Sequence, residues 1–395
     1  MLDENLIKKW IKDGIITEEQ ARKMLADVAE SKKEQSSNKL ITFISTIGAI
    51  SLGIGAILFV ASNWQVMPNI IKVLFLLGIT LGVYYIGYIF KYQKQNLPKV
   101  GVALIFLGAL LFGSTVFLVA QIYHINANSH TLILIWLLGI LPLVYALKTI
   151  PIAALSSLLF YVWMALFVFR NFSFTEACGD FFYLPVLYLI GGILQFGIGG
   201  LHYLSEDFKA IARTYRIAGI KISMLALFLL TFRFFSGSYN GFNIRAGIEV
   251  SKQFSTGLII FAILALAITV INRLLNPSKS DTLKLESGAS LVLLVMAMIF
   301  FYVPPTISNI YPFLFNLILT AAIFILIFVG YRREDIRLVN VGIFYLEAFI
   351  VVRYFDYFWK LLPRAMFFMV GGIILILGGI FLEKKRRDLK KQFIG

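Results

Sequence analysis

Glu347 lies near the centre of an apolar run of the length that crosses a bilayer. An ionised carboxylate at the bilayer midplane costs about 3 kcal/mol or more. Asn340, Glu347 and Tyr354 recur every seven residues, so a helix carries them on one face. This polar stripe is expected to point into a helix bundle, away from lipid. A carboxyl so placed can carry a proton or bind a cation. It can equally be an uncharged group that hydrogen-bonds a neighbouring helix as packing glue. Arg353, Asp356 and Lys360 follow at i,i+3 and i,i+4 spacing, which lets them pair. They form an interfacial ion cluster or the lip of a cavity. Asn63 and Trp64 end the first apolar run, and Gln121 and His124 end the third. With Arg353 and Asp356 they are candidates for an external polar pocket.

Other chemistry is poorly supplied. Cys178 is the only cysteine, so neither an internal disulfide nor a thiolate metal site is expected. His124, His130 and His202 lack metal-ligand spacing. There is no phosphate-binding GxxxxGK[ST] loop, no GxSxG elbow and no dinucleotide fingerprint in context. No catalytic residue, metal or cofactor is therefore assigned. A net charge of +15 in a soluble protein would suggest nucleic acid. Here it is read as the basic loops that orient membrane helices, and nucleic acid is not expected as a partner.

The elements that must hold these residues are helices in lipid. Of 395 residues, 59% are hydrophobic and only 14% charged, with mean hydropathy +0.85. About 20 apolar residues span a bilayer core as a helix. Such runs fall at 40–61, 73–90, 100–122, 131–147, 149–169, 181–201, 217–236, 255–275, 288–303, 311–330, 338–358 and 364–382. The polar remainder could not cover a dozen buried helices in a soluble fold. The expectation is an all-α, polytopic transmembrane bundle of about 12 spans over 40–382. It carries a cytoplasmic segment at 1–39 and a basic cytoplasmic tail at 383–395. With both termini inside, 28 of the 36 Lys and Arg fall on the inner side and 8 on the outer, which fits the inner membrane of a cell. No cleavable signal peptide is expected, because the first apolar run starts near Leu40.

Residues 1–39 hold eight basic and eight acidic side chains. Leu6, Ile7 and Trp10 sit at helical spacing before Gly14, and Thr17 with Gln20 forms a capping box for a second helix. A helical hairpin followed by a linker at 31–39 is predicted. Two short helices bury too little to stand alone, so residues 1–35 are expected to pack on the bundle, a second copy or an envelope partner. Ser205 begins a helix with Phe208, Ile211, Ala212 and Tyr215 on one face, the pattern of a helix lying in the interface. Gly48 to Gly55 and Gly101 to Gly108 share a seven-residue spacing with Gly192 to Gly199 and Gly371 to Gly378, which suits close helix packing or an internal repeat.

Several of these segments together resemble a prokaryotic family of predicted multi-pass membrane proteins, the domain-of-unknown-function 2157 family. They are Trp10 with Gly14-Ile15-Ile16-Thr17-Glu18-Glu19-Gln20, then Ala61-Ser62-Asn63-Trp64, Gln121-Ile122-Tyr123-His124 and Trp136. Arg353-Tyr354-Phe355-Asp356, Phe367, Gly371-Gly372 and the basic tail from Lys384 complete the set. The resemblance spans nearly the whole chain and implies a polytopic membrane protein with a cytoplasmic N-terminal module. It brings no activity and no catalytic residues. Three functions stay open: transport or flux of a small solute or lipid, with Glu347 as its polar site; a scaffold or sensor using the hairpin; and an intramembrane enzyme on a lipid-linked substrate. Transport leads, since a dozen spans exceed what an anchor needs.

Overall fold

The computed structural model describes residues 17–63, 68–125, 129–168, 179–236, 238–239, 242–243, 250–275, 281–303, 310–358 and 364–394. Twelve long helices are found among them: α1 Glu18–Asn63, α2 Asn69–Tyr88, α3 Pro98–Ile122, α4 Ser129–Leu147, α5 Ile150–Val168, α6 Leu184–His202, α7 Lys209–Leu230, α8 Lys252–Leu275, α9 Asp281–Tyr302, α10 Ile310–Arg332, α11 Ile336–Phe358 and α12 Arg364–Ile394. The only described strands are β1 Ser238–Tyr239 and β2 Phe242–Asn243, an antiparallel pair with Ser238 opposite Asn243. Nine helices among the described residues are long and apolar enough to cross a membrane. The other three are α7, whose first half is basic, and α1 and α12, whose apolar stretches run Phe43–Gly55 and Phe368–Phe381. The apolar helices carry exposed apolar side chains such as Leu81 on α2 and Phe313 on α10. Water would penalise such surfaces and lipid does not. The architecture is an all-α membrane bundle.

Two expected boundaries are absent. The stretch 31–39, read as a linker, is helix, and α1 runs unbroken from Glu18 into the first apolar run. Nothing in Ser31–Lys39 forces a break, for it holds neither Gly nor Pro. The start of α1 is as expected: the Thr17 amide donates to Gln20 Oε1 at 3.0 Å, and the Gln20 amide donates to Thr17 Oγ1 at 3.3 Å. The first arm of the hairpin, Leu6 to Gly14, lies outside the described residues. The helix expected to lie in the interface from Ser205 is a short 3₁₀ turn, Glu206–Phe208, that leads into α7. Ser205 has extended backbone but makes no side-chain cap. Arg213 and Arg216 therefore belong to the same continuous helix as the following apolar run.

The chain divides into two compact units, Met1–Ser156 with Ile394–Gly395, and Ser157–Phe393. In the first, α2 and α3 meet backbone to backbone: a methyl group on Gly101 would stand 2.8 Å from the Gly87 carbonyl oxygen. Ala49, Ala103, Leu107 and Leu111 fill the space beside them. Trp136 of α4 lays its ring over Gly113 and donates its indole N–H to the Ala109 carbonyl at 2.9 Å. The Lys91 ammonium donates to the Leu147 carbonyl at the end of α4, where the helix dipole favours a cation.

In the second unit, α6 and α7 come closest. A methyl group on Gly219 would stand 2.5 Å from the Gly192 carbonyl oxygen and 2.7 Å from the Phe196 amide nitrogen. Around this pair pack Leu189, Ile190, Leu227, Leu258, Phe300 and Phe315, all buried. Polar bolts tie the element ends. Asp180 accepts from the Ser251 amide (2.9 Å) and hydroxyl (2.6 Å), and Ser251 Oγ accepts from the Phe254 amide to cap α8. Tyr345 of α11 donates to the Lys221 carbonyl of α7 at 2.8 Å.

The glycines thus divide into those that carry packing and those that do not. Gly219→Val is expected to cost about 2 kcal/mol by forcing two backbones apart. Gly288→Ala, where an added methyl group meets nothing within 4 Å, should be neutral or gain up to about 1 kcal/mol from helix propensity. Thermal unfolding of the two variants in detergent checks this, and equal melting temperatures would refute it.

Candidate functional site

Successive helices of the second unit run up and down, so alternate ends gather on one side. The end of α6, the start of α7, the end of α8, the start of α9, the end of α10 and the start of α11 enclose a cavity of about 840 Å³. Five arginines line it: Arg213 and Arg216 from α7, Arg273 from α8, Arg332 at the end of α10 and Arg333 just beyond it. Two carboxylates face them, Glu286 and Asp335. Asp335 is committed locally, since its Oδ1 accepts the Arg337 amide at 3.0 Å and caps α11.

Glu286 is the hub. Arg216 Nη2 donates to Glu286 Oε1 and Oε2, both at 2.8 Å. Arg333 Nη2 donates to Oε2 at 2.9 Å, and its Nη1 stands 2.7 Å from Oε1. The Glu286 side chain is 11% exposed and Arg216 14%, so the pair is largely shielded from solvent screening. Local sequence explains the geometry. Gly199 leaves room on α6 for the Arg216 stem, whose Cγ would lie 2.7 Å from any methyl group there. The Arg216 guanidinium then rests 4.5 Å from the Phe196 ring centre, a cation–π arrangement. Asn272 fills the notch left by Gly200 and donates to the Gly197 carbonyl at 2.6 Å.

Arginine stays charged at any accessible pH and offers a planar fork that matches carboxylate or phosphate oxygens. Glu286 occupies two such forks. Arg213, Arg273 and Arg332 are exposed along the rim. The arrangement can hold an anionic group. Among the described residues no cluster of three His, Cys, Asp or Glu is disposed to hold a metal.

The residues singled out from sequence lie elsewhere. On α11, Leu338, Gly342 and Tyr345 mark the buried face. Glu347 lies two residues beyond Tyr345, about 200° around the helix, and is exposed. The expected inward stripe is thus split: Glu347 faces outward, while Asn340 and Tyr354 are half-buried, Tyr354 against Gly371. Arg353 pairs with Asp356 at 2.6 Å and also donates to Thr231 Oγ1 of the α7 end. Lys360 and Trp64 lie outside the described residues, as does the side chain of Asn63. Gln121 and His124 are exposed in the first unit, and Arg353 and Asp356 belong to the second. His124 has φ 52° and closes α3, with the Ile125 amide donating to the Ala120 carbonyl at 2.9 Å.

Sequence reasoning missed Glu286 and used the arginines to orient the helices, with Arg213 and Arg216 also read as the polar face of an interfacial helix. The available signal was a carboxylate near the start of an apolar helix, on the same side as three arginine-bearing segments.

Residues 8–153 match a family described as predicted membrane protein (DUF2157). The match supports the resemblance read from Trp10, Asn63, Gln121 and Trp136. It stops short of Arg353 and of the arginine cavity, so it covers less of the chain than that resemblance did. No curated protein matches, and no solved structure does.

Glu286→Ala is expected to destabilise the chain by about 3 kcal/mol, because it removes the carboxylate that two guanidiniums share, that of Arg216 being largely buried. Melting curves in detergent check this, and added phosphate should restore part of the loss. His124→Gly should raise stability by about 1 kcal/mol, since glycine adopts positive φ without steric cost. A lowered melting temperature would overturn that assignment of His124 as a helix terminator.

Proposed function

We propose that this membrane bundle binds an anionic group in its arginine cavity and serves the flux of an anionic solute or lipid. One observation carries the reading: Glu286 is gripped by Arg216 and Arg333 inside a cavity whose rim adds three more arginines. Five guanidiniums against two carboxylates leave an excess positive charge. In a partly enclosed cavity such a field concentrates anions. The volume, about 840 Å³, suits a bound small molecule. A scaffold or sensor needs no such cavity.

The cavity ends belong to the side that holds 28 of the 36 Lys and Arg when both termini are cytoplasmic. The proposed site therefore opens toward the cytoplasm of an inner-membrane protein. Glu347 is not given the central role, because its outward position on α11 removes it from the bundle interior.

The test uses the purified full chain in neutral detergent. Inorganic phosphate should raise its melting temperature by several degrees over chloride at matched ionic strength, because a ligand that binds the folded state stabilises it. The rim variant Arg213→Gln/Arg273→Gln/Arg332→Gln should fold yet lose most of that gain. In proteoliposomes the same variant should lose flux of a phosphate-bearing solute or lipid. No phosphate-dependent gain in the parent chain, or an undiminished gain in the variant, would refute the reading.

A further inference from the structure

A second cavity, of about 690 Å³, shares a wall with the arginine cavity. Phe196, Ile220, Leu285, Glu286 and Ser290 line both. Beyond that wall the lining turns apolar, with Ile193, Met224, Leu227, Leu293, Ile318 and Ile325 from α6, α7, α9 and α10. The charged cavity and the apolar slot therefore lie side by side, with Glu286 in the wall they share.

The dimensions are informative. Along α10 the lining runs from Val329, beside the arginines, back to Ile318. Eleven residues of helix cover about 16 Å. Half of a hydrocarbon core about 30 Å thick is about 15 Å. The apolar slot therefore reaches from the polar end of the bundle to the depth of one leaflet. A wholly polar anion would use the arginines and leave this slot unfilled, and a neutral lipid would leave the arginines unmatched. A molecule with an anionic head on an alkyl chain satisfies both.

We infer that the ligand of the second unit is an anionic amphiphile, its phosphate held by the arginines around Glu286 and one acyl chain lying in the slot between α7, α9 and α10. The inference rests on the anion site proposed above and adds the substrate class. The head displaces or shares the forks of Arg216 and Arg333. The chain enters past Ser290 and Leu285 and lies along Ile220, Leu293 and Ile325. A basic pocket between helix ends is the setting in which lipid head groups are recognised.

The experiment compares three probes on the full chain in neutral detergent: long-chain phosphatidylglycerol, long-chain phosphatidylcholine and inorganic phosphate. Melting temperature is followed in each titration. Phosphatidylglycerol should act at concentrations about tenfold or more below inorganic phosphate, because its chain adds apolar burial. Phosphatidylcholine should have a weaker effect. Gly288→Trp places bulk in the slot at a position where an added Cβ meets nothing within 4 Å, so the fold should survive. It should abolish the phosphatidylglycerol advantage and leave the inorganic phosphate response intact. Ala322→Trp, from the opposite wall, repeats the test should the first variant fail to fold. If inorganic phosphate stabilises the parent chain, the rim-arginine variant loses that response and phosphatidylglycerol has no advantage, the amphiphile inference falls while the anion site stands. An advantage that survives both slot-filling variants also overturns it. If neither phosphate nor phosphatidylglycerol stabilises the parent chain, both readings fall.

Discussion

Gly192 on α6 and Gly219 on α7 stand so close that a methyl group on either would strike the backbone of the other. Lipid tails are as apolar as leucine, so helices in a membrane gain little by hiding apolar surface from lipid. They associate through close packing and through polar groups that find partners. The near contact of α6 and α7 is of the first kind. It sets the distance at which Gly199 can admit the stem of Arg216, and so the place where that guanidinium meets Glu286 of α9. Widening the pair would move one wall of the arginine cavity.

The charges of the cavity can serve two purposes that the sequence alone does not separate. Lys and Arg at the ends of membrane helices bias orientation, and Arg213, Arg273 and Arg332 are placed where that purpose requires. Because an up-and-down bundle returns every second helix end to the same side, the same residues are also drawn together. Beside them Glu286 accepts from two further guanidiniums at once, those of Arg216 and Arg333. The ion pair is costly to bury and costly to break, and Glu286 sits in the wall between a charged cavity and an apolar slot.

The first unit is held by smaller devices. Trp136 replaces a missing side chain at Gly113 and satisfies its indole N–H on the same helix. Lys91 and Tyr92 both hydrogen-bond the last carbonyl of α4. His124, a candidate for the external pocket in the sequence, takes a left-handed backbone at the position where α3 ends. The match to a predicted membrane protein family falls on this half of the chain, whereas the cavity is built wholly from the other half.

Much of the architecture was legible in the residues. Apolar runs of the right length become helices because a backbone in hydrocarbon must satisfy its own hydrogen bonds, and that need is local. The capping box at Thr17 and Gln20 and the pair of Arg353 with Asp356 are likewise near in sequence, so spacing sufficed to find them. What spacing could not supply was rotation and assembly. Asn340, Glu347 and Tyr354 do share a helix stripe, yet which stripe faces inward was decided by Gly342 and Tyr345 packing against other helices. The meeting of Arg216, Glu286 and Arg333 joins residues 70 and 47 positions apart. No local pattern encodes such a meeting, because it depends on which helix ends lie side by side, and only the packed bundle decides that.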